Sequence, residues 1–257
     1  MRPSRSAAIA RHELRILRSD PVFFIIFTAM PLVVMAFVKP SFRFALVAQG
    51  HPGVNGAEQA VPGMTVMFAL FLMGNVGFSF FREHGWGTWE RLRASWSMPS
   101  QIMAGKMAVP LLQAAVQLVV LFGVGGALYR LHVRGSMIAL AAVAAAFCVC
   151  VVGLGLALLA ICQTVLQLNA VANLGAIVLA GIGGAIAPAT ALPGWARTVA
   201  PATPSYWAMR GFRSVILDGG SLGAVALPVV VLFGFAAFFL VVAATRFRFE
   251  QTKTSWA

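Results

Sequence analysis

The ionisable residues that could act together are gathered in one stretch, residues 81–106, which reads FREHGWGTWERLRASWSMPSQIMAGK. It carries Arg82, Arg91, Arg93 and Lys106, four of the 19 basic residues, with Glu83 and Glu90, two of the seven acidic ones. Carboxylates beside guanidinium and ammonium groups form charge-assisted hydrogen bonds, with one another or with a second protein. They do not make a catalytic or metal-binding set. His12, His51, His84 and His132 fall in different polar segments, and neither HExxH nor CxxC spacing occurs. Cys148 and Cys150 are two apart, so on a helix they point different ways. Gly105-Lys106 lacks the leading glycine of a phosphate-binding GxxxxGK[ST] loop and is followed by Met107. A serine nucleophile elbow is not expected either. The chemistry open to this stretch is charged docking, on a surface where a partner could push.

The elements that must position it are membrane spans. The chain of 257 residues is 60% hydrophobic and 10% charged, far from the balance of a soluble domain. Its mean hydropathy is +0.87. A helix of about 20 apolar residues crosses the ~30 Å hydrocarbon core. Six such runs occur, at about 22–38, 61–81, 107–129, 137–162, 170–188 and 222–244. Continuous apolar runs exclude the alternating pattern of a barrel, so the expectation is an all-α integral membrane protein, one transmembrane domain over residues 1–257. The first run follows basic residues as a signal peptide would. Its length, Pro31 and the lack of a small-x-small site favour a retained helix.

Six spans leave both termini on one side. Counting the N-terminal arginines, the 81–106 segment and Arg246, Arg248 and Lys253, 12 of the 19 basic residues share that side, so the positive-inside rule places both ends in the cytoplasm. The net charge of +12 needs no nucleic acid; basic flanks beside anionic membrane lipids account for it. Wound as a helix, residues 5–18 place Ile9, Ala10, Leu14, Ile16 and Leu17 on one broad face and Arg11, Arg15 and Arg18 on the other. That pattern suits an interfacial helix with arginines at headgroups, or a simpler basic anchor that sets topology. Asp20-Pro21 reads as an N-cap followed by proline at the first helical position of span 1.

Within 81–106, Trp89, Leu92 and Trp96 recur at helical spacing while Glu90, Arg91 and Arg93 turn elsewhere. Gly85 and Gly87 precede this pattern and Pro99 ends it. The segment is a short amphipathic helix between spans 2 and 3, or an ordinary solvated loop with interfacial tryptophans; periodicity leaves both open. Residues 189–221 are too proline-broken to span and too apolar for a free loop. Re-entrant or interfacial helices anchored by Trp195, Tyr206 and Trp207 are expected there. The uncharged link 163–169 predicts that spans 4 and 5 pack as a helical hairpin. Gln113 and Gln117 share a face of span 3 and are expected to bond between helices.

No charged residue lies inside the six runs, against an ion-coupled carrier, and no polar cluster supports a membrane enzyme acting on lipid or peptide. Those two classes stand as the alternatives to a transporter subunit driven by another chain. Glu83, Gly87-Thr88, Glu90, Leu92, Ser97, Pro99 and Gly105-Lys106 resemble the cytoplasmic loop of ABC transporter permeases of the type-2 exporter family. The resemblance covers nearly the whole chain, including Pro193-Gly194-Trp195 and Pro204-Ser205-Tyr206-Trp207 before span 6, and is closest in layout to bacterial daunorubicin-resistance-type drug-efflux permeases. The step Ser95-Trp96-Ser97-Met98-Pro99 is longer than the family's usual Ser-Pro turn.

That resemblance implies a permease dimer, of two copies or with a sister permease, served by separate ABC ATP-binding subunits that hold ATP and Mg. It also implies that this chain binds no cofactor and is not itself an enzyme. Glu83, Gly87, Thr88, Glu90, Arg91, Leu92 and Arg93 become the coupling helix and its contacts. Export of a hydrophobic drug-like or lipid-like substrate through the plasma or inner membrane follows. In the resembled family spans 2 and 5 face each other across the dimer, which makes Met67, Phe68, Phe71, Asn75 and Asn173 the candidate substrate cavity. A Met/Phe stripe is also what a plain lipid-facing or packing surface looks like.

Overall fold

The computed structural model describes residues 5–88, 90, 94, 98–188 and 191–247. Among the described residues every regular element is helical, and six helices are long and apolar enough to cross a membrane. They are Val22–Ala48, Ala57–Glu83, Ser100–Tyr129, Met137–Ile161, Val165–Ile182 and Leu222–Arg246. The chain is a multi-pass α-helical membrane protein. The N-terminal helix Arg5–Ser19, the end of span 6 at Arg246 and the described residues of the 84–98 link lie at one end of the bundle, the near end; residues 49–56, 130–136 and the described residues of 183–221 lie at the far end.

Spans 1, 2 and 3 run longer than their apolar runs because charged residues at their ends are satisfied by neighbours, whereas span 5 starts at Val165 and ends at Ile182, short of its run. Span 1 continues past Val38 through Lys39 and Arg43, with Pro31 and Pro40 inside it. Lys39 Nζ donates to the Tyr129 carbonyl at 3.1 Å and lies 5.8 Å from the centre of its ring. Its start also differs from expectation. Pro21 is the N-cap, with no side-chain cap bond, and Val22 is the first helical residue. Asp20 instead donates its amide to the Ile16 carbonyl, closing the preceding helix. Span 2 is two helices, Ala57–Phe71 and Met73–Gly85, offset at Leu72. Span 3 carries a π turn, Leu121–Gly125.

Span 2 is the most enclosed of the six. Val66, Leu70 and Met73 join Leu118, Phe147 and Phe212 in the main core, and Phe80 and Phe81 pack with Leu159 and Leu168 nearer the termini. Spans 4 and 6 pack along their length, while spans 1, 5 and 6 turn large apolar side chains outward, Ile25, Phe37, Leu174 and Val230 among them. That outward belt suits lipid as its solvent.

The expected hairpin of spans 4 and 5 is corrected. Only residues 162–164 separate the two helices, but span 5 packs mainly on span 2 of the same chain. Small residues allow the approach where span 5 ends: a Cβ on Gly63 would stand 2.3 Å from the carbonyl oxygen of Ala185, in the turn that follows Ile182. Gln59 Nε2 adds a 2.9 Å bond to the Gly184 carbonyl. Gly63→Ala is therefore expected to destabilise by about 1–3 kcal/mol, seen as a lower thermal midpoint in detergent. An unchanged midpoint would mean that spans 2 and 5 stand further apart.

The far-end segment forms the helices Gly194–Val199 and Pro204–Ile216. Thr203 caps the second, its Oγ1 accepting from the Tyr206 amide at 3.4 Å. Ala208, Phe212, Val215 and Ile216 are buried against spans 4 and 6. Arg213 Nη2 donates to Gln49 Oε1 at 3.2 Å, tying this helix to the end of span 1.

Candidate functional site

The charged stretch 81–106 is only partly a loop. Arg82 and Glu83 belong to the last turns of the helix Met73–Gly85, and Lys106 to the helix Pro99–Val120. Pro99 begins that helix; the short helix expected before it lies mostly outside the described residues. The fixed φ of Pro99 suits the first turn, and Gln101 Oε1 accepts from the extended Met98 amide at 3.2 Å. Charged side chains thus extend two spans toward the near end, where they meet the N-terminal helix Arg5–Ser19.

They meet in one buried ion network. Lys106, 1% exposed, donates from Nζ to Glu13 Oε1 at 2.5 Å, to Glu83 Oε1 at 3.1 Å and to the Ser79 carbonyl at 3.3 Å. The second oxygen of Glu13 accepts from Arg82 Nη2 at 2.7 Å. The Thr88 hydroxyl donates to the Glu83 carboxylate and reaches its carbonyl at 3.3 Å. Two carboxylates and two cations cancel, so the N-terminal helix, spans 2 and 3 and the first residues of the link are locked by one neutral cluster. Removing any one member strands a buried charge. The Phe80 ring, 5.2 Å from Lys106 Nζ, forms an apolar wall.

The link leaves this cluster through a sharp turn. Gly87 has φ +66° and open space around it, a conformation that suits glycine. Trp86 is exposed beneath the Arg82 guanidinium, 5.4 Å from its ring centre. Glu90 is exposed and helical, and its carbonyl accepts from the Ala94 amide at 2.9 Å. Arg91, Leu92 and Arg93, like Trp89 and Trp96, lie outside the described residues. Of the expected contacts, then, Gly87, Thr88 and Glu90 are at or near the surface. Glu83 is not: it is 6% exposed, and its carboxylate is engaged inside the chain. Its place is that of a tie holding the link, not of a surface contact.

Arg11, Arg15 and Arg18 are exposed along one side of the N-terminal helix. Glu13 lies on the other side and is 5% exposed. This residue was missed by reading arginines alone, although a signal existed. Glu13 is four residues from Ile9 and three from Ile16, a lone carboxylate within the apolar face. Gly105 lets that face come close, since a Cβ there would be 2.7 Å from Ile9 Cβ and 2.8 Å from the Ser6 carbonyl oxygen.

A cavity of about 430 Å³ adjoins the network, lined by Asn75, Gln113, Asp20, Phe23 and Trp86 with Glu13 and Arg82. Asn75 is the one expected cavity residue found there. Phe68 is buried between spans 1, 2 and 3; Phe71 packs 5.8 Å from its ring and 6.1 Å from Phe27; half-buried Met67 joins the same cluster. Asn173 is exposed on span 5, donating to Asn169. Within a single chain the five residues therefore lie apart, because span 2 turns Phe68 and Phe71 toward span 1. Gln117 bonds between helices as expected, its Nε2 donating to the Phe27 carbonyl at 2.9 Å.

Residues 219–223 do spell GxSxG, but no elbow is built. Ser221 is exposed at the N-cap of span 6, and no strand precedes it.

No curated protein matches this chain. The family model described as ABC-2 type transporter matches residues 6–217, from the N-terminal helix through the far-end helix Pro204–Ile216, and the chain belongs to that family of transporter membrane subunits.

Proposed function

We propose that this chain is the permease subunit of an ATP-driven exporter, with both termini and the 84–98 link on the cytoplasmic side of the plasma or inner membrane. Two copies, or this chain and a sister permease, form the pathway. A separate ABC ATP-binding subunit holds ATP and Mg and docks on the link, with Gly87, Thr88 and Glu90 among the described contacts and Arg91, Leu92 and Arg93 completing the surface. One observation carries the reading. The base of the link is fixed by the Glu13–Lys106–Glu83–Arg82 network to the N-terminal helix and to spans 2 and 3. A push on the link therefore moves three elements together, a two-state element that a partner binding one state better can bias. Arg11, Arg15 and Arg18 rest the same assembly on the headgroups.

The near-end cavity supports an amphipathic, drug-like or lipid-like substrate. Phe23 and Trp86 offer apolar surface, while Asn75 and Gln113 offer hydrogen bonds.

The test is ATP-dependent transport in proteoliposomes containing this chain and its ATP-binding subunit. Glu90→Arg is expected to fold and insert normally but to lower coupled transport at least tenfold, equivalent to about 1.4 kcal/mol, while basal ATP hydrolysis persists. Unchanged transport would remove Glu90 from the docking surface. Substrate accumulation on the side of the ATPase would overturn export.

A further inference from the structure

The far half of the bundle holds a groove that the proposed coupling does not use. It lies between spans 3 and 4, has a volume of about 580 Å³, and is walled by Leu118, Phe122, Leu131, Val133, Leu140 and Ala144. That volume falls within the roughly 300–1,000 Å³ of small-ligand sites. Two features of the sequence open it. Span 3 widens into the π turn Leu121–Gly125, where a Cβ on Gly123 would meet no atom within 4 Å. Facing it, span 4 presents Ala141, Ala144 and Ala145, whose short side chains leave the space unfilled.

Shape and charge define what fits. No charged residue lines the groove, and along span 4 the lining runs from Met137 to Val149, a rise of roughly 18 Å. The hydrocarbon core is ~30 Å thick, so the groove has about the depth of one leaflet. An acyl chain is the ligand of that form which the surroundings supply. At its far-end mouth the chain alternates: Leu131 and Val133 line the groove, while Arg130, His132 and Arg134 are exposed. The turn is held in place, Asn55 Nδ2 donating to the Arg130 carbonyl at 2.8 Å and Arg134 Nη1 to the Leu217 carbonyl at 3.3 Å. The far end as a whole carries seven Lys and Arg residues against Glu58 and Asp218. Glu58 is already engaged by the backbone amides of Asn55 and Gly56. Exposed Arg130 and Arg134 thus flank the lining residues Leu131 and Val133 in the chain, at the far end of spans 3 and 4.

We infer that this groove binds an anionic phospholipid of the far leaflet, one acyl chain between spans 3 and 4 and the phosphate at Arg130 and Arg134. The lipid is a resident one, setting the spacing of the two spans. The inference rests on the fold alone and stands whether or not the coupling proposal does.

The experiment uses the full chain in nanodiscs with photoactivatable phosphatidylglycerol or phosphatidylcholine, the diazirine on the acyl chain, and maps the label by peptide mass spectrometry. The phosphatidylglycerol probe is expected to label residues 111–123 and 137–149 at least threefold above the lipid-facing sides of spans 1 and 6. It should exceed the phosphatidylcholine probe there by a similar factor. Ala144→Trp, or the gentler Ala141→Leu should the first fail to fold, fills the groove and removes the excess. Arg130→Asn keeps the acyl label but lowers the headgroup preference at least twofold; asparagine tolerates the left-handed φ of +54° found at this position. Uniform labelling of all lipid-facing helices would overturn the site, and indifference to the headgroup would overturn the phosphate assignment. Disulfide linkage of two copies through Ala145→Cys, with no lipid label, would give the groove to a second copy and overturn the inference as well.

Discussion

Replacing Lys106 with methionine is expected to cost about 3–5 kcal/mol of stability, the toll of leaving buried carboxylates without their counter-ion. Lys106 is 1% exposed and holds both Glu13 and Glu83, so its loss leaves Glu83 without a counter-ion and Glu13 with Arg82 alone. Arg82 retains one oxygen of Glu13, which is why the effect falls on Glu83 and on the docking of the N-terminal helix. The readout is the thermal midpoint of the purified chain, followed by its tryptophan fluorescence. The control is the triple variant Lys106→Met, Glu13→Gln, Glu83→Gln, in which no carboxylate needs a partner. Neutral replacement of buried ion-cluster members is often harmless to stability, and the remaining Arg82 side chain is 30% exposed and can turn to water, so this variant should regain most of the midpoint. Under the proposed coupling, transport should not return with it, since the ion pairs between link and spans are still missing. Recovery of both would reduce the network to a structural fitting. Failure of Lys106→Met to lower the midpoint would show that water reaches the carboxylates.

Much of the bundle was legible in the sequence for a plain reason: lipid demands long apolar runs, and nothing else in the chain imitates them. All six spans stand where those runs lie. What misled at their ends was charge. Arg82, Glu83 and Lys106 read as loop because a lone ion in a span is expensive. Here they neutralise one another and Glu13, so the helices continue through them. Lys39 did the same at the far end by reaching the Tyr129 carbonyl. Span 5 begins five residues before its apolar run because Thr164 caps it, its hydroxyl accepting from the Gln167 amide at 3.2 Å. The pattern Thr164-Val165-Leu166-Gln167 announces such a start.

The cavity was harder to read. Which face of span 2 meets span 1, and which meets span 5, is decided by Gly63 at Ala185 and Phe71 at Phe27, contacts between residues far apart in the chain. Helical periodicity gives a face but not its neighbour, so the sequence left open whether the Met/Phe stripe lines a cavity or packs, and within one chain Phe68 and Phe71 pack toward span 1. The ion network was half visible. Glu13 could have been flagged on its apolar face, but nothing local ties it to Lys106, 93 positions away.

Gly105→Ala carries the second large expectation, and it tests whether the N-terminal helix belongs to the coupling unit or merely lies on it. The added Cβ would come within 2.7 Å of Ile9 Cβ and 2.8 Å of the Ser6 carbonyl oxygen. One neighbour is backbone and the other is the branch point of a side chain, so neither yields by a change of rotamer. The helix must move outward. Overpacking of this kind costs about 1–3 kcal/mol, and the movement also draws Glu13 from Lys106, one residue along span 3. Because the two losses share a cause, they should not add. In a cycle with Glu13→Gln, the double variant is expected to lose less stability than the sum of the single variants, by about 0.5–3 kcal/mol. Coupled transport should fall in Gly105→Ala although the link residues Thr88 and Glu90 are untouched. Additive losses with full transport would mean that the helix slides along span 3 without releasing Glu13. Force would then pass from the link to spans 2 and 3 through Glu83 and Lys106 alone.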